Sequence, residues 1–156
     1  MSRVSHWRRN PSLRDMSTSA PHSAILETAL SVADLTRSRE FYADLFGFPV
    51  IAADDRFCAV RVGERQVLLL FLRGSDPEGT RMPFGFIPAH GTTGRSHVAF
   101  SIAREDIPQW LRRLADQSIA VESQFTWPLG GTSIYFRDPD GHLLELLTPG
   151  VWGDGI

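Results

Sequence analysis

The amino-acid sequence predicts an α+β fold in which one βαβββ unit occurs twice. The segment 27–32 (Glu-Thr-Ala-Leu-Ser-Val) resembles the segment 97–102 (His-Val-Ala-Phe-Ser-Ile), with Ala and Ser at matching positions. Behind each segment lies a stretch with apolar residues at helical spacing, and then three short runs rich in β-branched and aromatic residues. Such a repeat indicates that one supersecondary unit has been duplicated. The 156 residues suffice for two such units around one core.

The first unit occupies residues 24–72. Alternating side chains predict its first strand at 25–32. Asp34 is a suitable N-cap for a helix through Phe46, and Gly47 is a suitable end because glycine adopts the left-handed conformation that closes helices. The remaining strands of this unit are predicted at 48–52, 57–62 and 66–72.

The second unit occupies residues 95–149 and repeats this order. A strand at 96–102 is followed by a helix to about Gln117, with Pro108 tolerated in its first turn. The segment 138–141 (Asp-Pro-Asp-Gly) has the composition of a tight turn. The remaining strands of this unit are predicted at 119–124, 132–137 and 142–147.

Residues 23–150 are therefore predicted to form one domain. Residues 1–22 are rich in Ser, Arg and Pro without periodicity, which predicts a disordered N-terminal tail, and 150–156 form a C-terminal tail. Residues 73–94 are rich in Gly and Pro and are predicted to be a linker loop without secondary structure, long enough to cover a pocket.

Composition excludes several classes of function. A net charge of −2 gives no reason to expect a nucleic acid partner, and no apolar run reaches the ~20 residues of a membrane span. Cys58 is the single cysteine, which fits a reducing compartment and predicts a cytoplasmic protein. All basic residues are Arg, so lysine-based catalysis within this chain is excluded.

Four motifs occur in the order of the repeat. They are Leu-Ser-Val-Ala-Asp-Leu at 30–35 with Phe-Tyr at 41–42 and Leu-Phe-Gly at 45–47, then His-Val-Ala-Phe at 97–100, then Tyr-Phe-Arg-Asp-Pro-Asp-Gly at 135–141, and Leu-Glu-Leu at 144–146. Over roughly residues 25 to 149 the chain resembles the vicinal oxygen chelate superfamily, which includes glyoxalase I, extradiol dioxygenases, fosfomycin-resistance enzymes and bleomycin-binding proteins. The resemblance implies a cup-shaped, glyoxalase-like arrangement of eight strands in two mixed sheets. It also implies that metal ligands come from the first and last strands of each module.

Glu27, His97 and Glu145 are the metal ligands that this resemblance implies. Strand alternation agrees, because His97 shares one strand face with Ala99 and Ser101, whose small side chains leave room for a cavity. Glu145 lies in an otherwise apolar strand, where an ionised carboxylate needs a partner. The alternatives are an arginine pair for each carboxylate and a hydrogen-bonded core histidine.

The fourth ligand position of glyoxalase I-like members is apolar in this chain. Alignment of the two modules places Leu69 where the second module has Glu145. Three ligands leave positions free for substrate or water. Two carboxylates and one imidazole favour one divalent ion such as Mn²⁺, Mg²⁺ or Fe²⁺, with Zn²⁺ and Ni²⁺ as further candidates.

Other residues are candidates for catalysis or substrate binding. His90 of the linker could act as an acid or base if it lies over the cup, and Glu27 or Glu145 could leave the metal and serve as a base. The alternative for His90 is a solvent-exposed loop histidine. For the arginines named below the alternative is a structural ion pair, and for the aromatic residues it is a place in the core. His142 is expected to point away from the face of Glu145. The candidates for contact with substrate are Arg61, Leu69, Trp127, Tyr135 and Arg137.

The predicted function is that of a metal-dependent enzyme that acts on a small vicinal-oxygen substrate. The metal would stabilise a developing enolate or alkoxide in an isomerase, lyase or transferase reaction. One alternative is a non-catalytic binding protein of the bleomycin-resistance type, with the same cup and no metal. A third is an extradiol-type dioxygenase, which is less favoured because Glu27 replaces the first histidine of that site. A homodimer, with or without exchange of modules, stays open.

Overall fold

Each half of the chain forms a four-stranded sheet with one helix against it, as the repeat predicts. The structure is a computed structural model and describes residues 23–152. The α+β class and the two βαβββ modules are confirmed. The predicted tail at 1–22 lies outside the described residues, as does the tail at 150–156 beyond residue 152.

The first module contains four strands in the order β1-β4-β3-β2. Strand β1 runs parallel to β4, and the other neighbours are antiparallel. The Asp34 side chain accepts a hydrogen bond from the Arg37 amide at 3.0 Å, and Gly47 ends the helix with a φ of 72°. Both predicted helix ends are confirmed. The elements are β1 (Glu27–Val32), α1 (Leu35–Phe46), β2 (Val50–Ala53), β3 (Phe57–Arg61) and β4 (Val67–Leu72).

The segment between the modules contains a hairpin that the sequence did not predict. Strands β5 (Thr80–Met82) and β6 (Gly85–Ile87) pair antiparallel within the linker 73–94. Strands of three residues are too short to show a periodic pattern, so the expectation of a linker without secondary structure was wrong. Gly79 begins the hairpin at a φ of 93°, and a Cβ there would lie 2.5 Å from the Ile87 carbonyl oxygen.

The second module repeats the topology, with strand order β7-β10-β9-β8 and β7 parallel to β10. A single 3₁₀ turn precedes its helix. Neither helix between residues 23 and 152 has the length and hydropathy needed to cross a membrane. The elements are β7 (His97–Ser101), α2 (Ile107–Asp116), β8 (Ser123–Thr126), β9 (Thr132–Arg137) and β10 (Leu143–Leu147).

Strand β8 starts later than predicted. The sequence placed this strand at 119–124, whereas it begins at Ser123. Ile119 donates its amide to the Leu114 carbonyl oxygen at 2.8 Å and packs against the core. Ile119 is therefore apolar because it packs against the core at the end of α2, and not because it belongs to a strand.

Both sheets bury the face that carries the helix. The buried residues alternate along the strands and meet in one core together with both helices. The opposite face of each sheet, called the outer face below, therefore points away from that core. The outer face of the first sheet carries Glu27, Ala29, Ser31, Ala59, Arg61, Val67, Leu69 and Phe71, and that of the second carries His97, Ala99, Ser101, Phe125, Ser133, Tyr135, Arg137, Leu143, Glu145 and Leu147.

The turn between β9 and β10 attaches the second module to the first. Asp140 accepts hydrogen bonds from the Ala33 amide at 2.8 Å and from the Ser38 hydroxyl at 3.1 Å. Asp138 accepts a hydrogen bond from the Tyr42 hydroxyl at 3.0 Å. Burial and the negative charge of Asp138 raise the pKa of Tyr42 well above its usual value, so the phenol keeps its proton and donates. We call the segment 138–141 the intermodule turn.

His142 is a second connection between the modules. Its Nδ1 accepts a hydrogen bond from the Ser96 amide and its Nε2 donates to the Ser31 carbonyl oxygen, both at 2.9 Å. The residue is fully buried and lies on the core side of β10, away from the face of Glu145. His142 thus holds β7 and β1 in fixed relation from the core side.

Candidate metal and substrate site

Two of the three predicted ligands, His97 and Glu145, lie together on the outer face of the second sheet. Strands β7 and β10 are parallel neighbours, with Leu143 opposite His97 and Glu145 opposite Ala99. This register makes His97 and Glu145 diagonal neighbours. Nε2 of His97 lies 3.1 Å from Oε2 of Glu145. The His97 side chain is 47% exposed and that of Glu145 only 7%, so the pair reaches solvent through the imidazole.

The hydrogen bonds of His97 determine which ring nitrogen carries a proton. Nδ1 lies 3.1 Å from the Leu143 carbonyl oxygen, which can only accept, so Nδ1 is the donor. In a neutral ring Nε2 then presents a lone pair to the Glu145 carboxylate, which is also an acceptor when ionised. This contact is favourable when a proton, on His97 or on Glu145, or a cation that both side chains bind lies between the two groups. A metal-bound histidine commonly donates its other N–H to a backbone carbonyl, as His97 does.

Tyr135 lies directly beside this pair. It is opposite Glu145 in the antiparallel pairing of β9 with β10, and its ring centroid is 6.2 Å from that of His97. Burial raises the pKa of the Tyr135 phenol, a hydrogen bond with Ser133 lowers it, and the hydrogen bond and charge of Glu145 raise it. The phenol therefore keeps its proton at neutral pH and is available as a donor next to the carboxylate.

Three aromatic side chains form a wall next to the pair. The Phe125 ring centroid lies 4.9 Å from that of Trp127 and 5.9 Å from that of Tyr135. Trp127 donates from Nε1 to the Ser133 hydroxyl at 2.6 Å. Trp127 and Tyr135, both predicted to contact substrate, are thus brought together, and Phe125 leaves part of the wall exposed.

Arg137 is held by protein groups and is not free to bind substrate. Its Nε and Nη2 donate to the two carboxylate oxygens of Glu122 at 3.1 and 3.2 Å. Its Nη1 donates to the Gly141 carbonyl oxygen at 3.1 Å. For Arg137 the structural ion pair, the alternative weighed from the sequence, is the observed arrangement.

Glu27, Arg61 and Leu69 lie on the outer face of the first sheet and not near His97. Glu27 and Arg61 flank Val67 from its two sides in the strand pairing, and Leu69 lies one row further along, opposite Ala29. Between residues 23 and 152 no three His, Cys, Asp or Glu side chains lie close enough to hold a metal ion. A single chain therefore brings two of the three predicted ligands together.

His90 also lies over the first sheet. Its ring centroid is 4.3 Å from that of Phe71, in an edge-to-face contact. Together with Ala29, Ser31 and neighbouring loop residues it lines a cavity of about 200 Å³, and the Thr92 amide donates to the Ser31 hydroxyl at 3.2 Å. The linker thus covers one end of the outer face that carries Glu27.

A larger cavity, of about 340 Å³, contains none of the candidate ligands. It lies between β1 and β7 and is lined mainly by apolar side chains such as Leu26, Phe46, Val98 and Phe100. We assign the site to the outer faces instead, because the polar and titratable side chains suited to catalysis lie there.

Sequence reasoning did not identify Ser133 and Glu122. Ser133 is two residues before Tyr135 in one strand, so alternation could have placed both on the same face. Glu122 lies just outside β8, and no pattern in the sequence indicates that it would bind Arg137.

Comparisons with known proteins agree with the fold and the motifs. The family model described as "Glyoxalase/Bleomycin resistance protein/Dioxygenase superfamily" matches residues 24–146. The structure of a lactoylglutathione lyase from Agrobacterium tumefaciens is similar with a TM-score of 0.77 and 34% identity, over 86% of this chain and 99% of that one.

Two relatives carry names of transferases. The metallothiol transferase FosB of Staphylococcus epidermidis is 28% identical over 127 residues, 81% of this chain and 82% of that protein. The glutathione transferase FosA of Serratia marcescens is 29% identical over 117 residues, 75% of this chain and 74% of that protein. The described residues thus include most of the length that these relatives share with the chain.

Proposed function

Because the chain belongs to the glyoxalase/bleomycin resistance protein/dioxygenase superfamily, we propose that it is a divalent-metal-dependent enzyme with a small vicinal-oxygen substrate. Its named relatives are transferases and a lyase, which supports an enzyme of this superfamily. The relatives' names favour a transferase reaction with a thiol. In the reaction that we propose, the thiol sulfur bonds to an electrophilic carbon of the substrate, the bond from that carbon to an oxygen breaks, and the thiol proton passes to the departing oxygen.

The contact between His97 and Glu145 is the observation that carries this proposal. An imidazole nitrogen and a carboxylate oxygen lie 3.1 Å apart, a contact that a proton or a bound cation between them makes favourable, and both groups are common ligands of divalent metals. The donor set therefore fits a metal ion, with His97 and Glu145 as two of its ligands. When bound, the ion supplies Lewis-acid stabilisation of negative charge on a substrate oxygen.

Glu27 of a second copy of the chain is the proposed third ligand. Glu27 and His97 occupy equivalent positions of the repeat, and Glu27 has neither a hydrogen bond nor an ion pair within residues 23–152. In a dimer with a two-fold axis, the outer face of the first sheet of each copy can lie against the outer face of the second sheet of the other copy. This arrangement gives two equivalent pairs of facing sheets. Each such cup would contain one complete set of three ligands.

The other residues of the cup have roles that follow from their chemistry. Tyr135 keeps its proton and would donate a hydrogen bond to a substrate oxygen. Phe125 and Trp127 would exclude water beside it and orient an apolar part of the substrate. His90, which lies over the outer face that carries Glu27, is the proposed acceptor for the thiol proton, and Glu27 would accept it only after leaving the metal.

Metal content of the purified chain tests this proposal. Protein stripped with a chelator and reloaded separately with Mn²⁺, Fe²⁺, Mg²⁺, Zn²⁺ or Ni²⁺ should retain about one ion per chain after dialysis. His97→Ala and Glu145→Gln should each lose it, because each removes a direct ligand. His90→Ala is the matched control and should retain the ion, since His90 lies over the other sheet.

A wild-type chain that retains no ion under any loading condition would contradict the proposal. It would favour the second candidate, a non-catalytic binding protein, which the exposed aromatic wall of Phe125, Trp127 and Tyr135 supports. Binding of an aromatic ligand unaffected by a chelator would identify that protein. Iron-dependent oxygen uptake with a catechol would instead indicate the dioxygenase.

A further inference from the structure

Duplication gives the chain two arginines in equivalent positions on the two outer faces. Arg61 of β3 is opposite Val67, the first residue of β4, and Arg137 of β9 is opposite Leu143, the first residue of β10. Each arginine thus lies in the row of its sheet that also carries a candidate ligand, Glu27 in one sheet and His97 in the other.

The two arginines differ in their partners. Arg137 is neutralised by Glu122, which accepts from two of its nitrogens. Arg61 is exposed, and within residues 23–152 no carboxylate lies within ion-pair distance of it, Glu27 included. The strand beside it, β2, consists of apolar residues only (Val50–Ala53), so no acidic side chain of that strand can take the place of Glu122.

We propose that Arg61 binds an anionic group, a carboxylate, on the distal part of the oxygen-chelating substrate. This inference rests on the proposed function, because it assumes that the near part of the substrate occupies the metal centre. A free guanidinium next to apolar Val67 and Leu69 can form two parallel hydrogen bonds to one oxyanion, which gives both affinity and orientation.

The strand spacing sets the size of this substrate. Glu27 and Arg61 are both paired with Val67, and neighbouring strands are about 4.8 Å apart, so their backbones are separated by roughly 10 Å. Part of that distance is taken up by the two side chains. The substrate therefore has its anionic group only a few bonds from the chelating oxygens.

Three hydroxy acids with the same chelating end test the inference in the Mn²⁺-loaded full chain. Lactate carries the chelating group alone, whereas malate and 2-hydroxyglutarate add a carboxylate one and two carbons further out. We expect at least one of the two diacids to bind about tenfold or more tightly than lactate by calorimetry, the effect of a charge-assisted hydrogen bond.

The variant Arg61→Met should abolish this preference and leave lactate binding and metal content unchanged. Arg61→Lys should keep part of it, since a single ammonium replaces the two-pronged contact. Arg65→Met is the matched control, because it removes an exposed arginine of the neighbouring turn and should leave the preference intact.

The outcomes separate this inference from the proposed function. If the wild-type chain takes up no metal and binds none of the three acids, the proposed function fails. If the chain holds metal and binds all three acids equally, or if Arg61→Met keeps the preference for a diacid, only the role of Arg61 is overturned. A further result would be that Arg61→Met weakens binding of a carboxylate-bearing thiol while leaving the binding of 2-mercaptoethanol and of the diacids unchanged. That result would assign Arg61 to the thiol and would also overturn the inference.

Discussion

The Asp138 carboxyl group lies at the junction of the modules, where 5% of the residue is exposed. Burial raises the pKa of this carboxyl group above 3.8, although hydrogen bonds from the His142 amide and the Tyr42 hydroxyl act in the opposite direction. The native chain therefore binds this proton more tightly than the unfolded chain. The resulting stability is fully present below pH 3.8 and is lost as the pH rises through the native pKa.

The substitution Asp138→Asn should remove this pH dependence. An asparagine oxygen can still accept from the amides of Asp140 and His142, and its amide group can donate to Tyr42, but it does not ionise. Relative to wild type, the free energy of unfolding of the variant should increase from pH 4 to pH 7, as measured by urea unfolding. Asp55→Asn, in an exposed turn, is the control, and equal slopes for both variants would contradict this reading.

The side chains of the site show what alternation along a strand can predict. It correctly separates His97 from Phe100 and Glu145 from Leu144 and Leu146, because one face of each strand is buried against the helices. It does not predict which ring nitrogen of His97 donates a hydrogen bond, because that depends on a carbonyl oxygen in the next strand. Nor does it distinguish free Arg61 from Arg137, since the difference comes from a carboxylate outside the strand.

The elements that were predicted well are those with a local signal at each end. Helix α1 has an aspartate cap and a terminal glycine, and β9 alternates up to the Asp-Pro-Asp-Gly turn, so both boundaries agree with the structure. The hairpin at 80–87 has strands of three residues and no such signal. The start of β8 was misjudged because Ile119 is apolar for a different reason, its contact with the core at the end of α2.

The intermodule turn has a role that its sequence does not reveal. The segment 138–141 was expected only to reverse the chain, yet Asp140 binds the Ala33 amide and the Ser38 hydroxyl of the other module. The guanidinium groups of Arg37 and Arg73 lie 3.7 and 3.6 Å from the same carboxylate. One β-turn thus accepts hydrogen bonds from the first module and forms ion pairs with Arg37 and Arg73.

Asp140→Ala should destabilise the chain by about 2–3 kcal/mol, because it leaves the Ala33 amide and the Ser38 hydroxyl without their acceptor. Asp140→Asn should cost less, since one oxygen acceptor stays. The matched control is Asp54→Ala, which also removes a turn aspartate that accepts from backbone amides, those of Arg56 and Phe57, but within one module. Urea unfolding measures all three, and equal losses for Asp140→Ala and Asp54→Ala would rule out an intermodule role.

At the scale of the whole molecule, the helix-bearing faces of both sheets are buried in one shared core. The outer faces point away from that core, and the side chains along them and at their edges include exposed Ile51, Phe125 and Val50. Exposed apolar surface of this kind is typical of association or ligand binding. The repeat in the sequence correctly indicates two modules of the same topology, but a pattern within one chain does not show which outer faces lie against each other.

Mixing two inactive variants tests whether each site is shared between copies. Glu27→Gln and His97→Ala should each lose metal alone, whereas co-refolded chains should regain about a quarter of the wild-type metal, because half the dimers are mixed and each has one intact site. The control mixture of Glu145→Gln with His97→Ala should regain none, since both changes fall on the second sheet and spoil both sites of every dimer. Recovery is measured as ions per chain after dialysis. If the first mixture recovers no more than the control, Glu27 does not complete the site of another copy, and the proposal of a site shared between two copies is wrong.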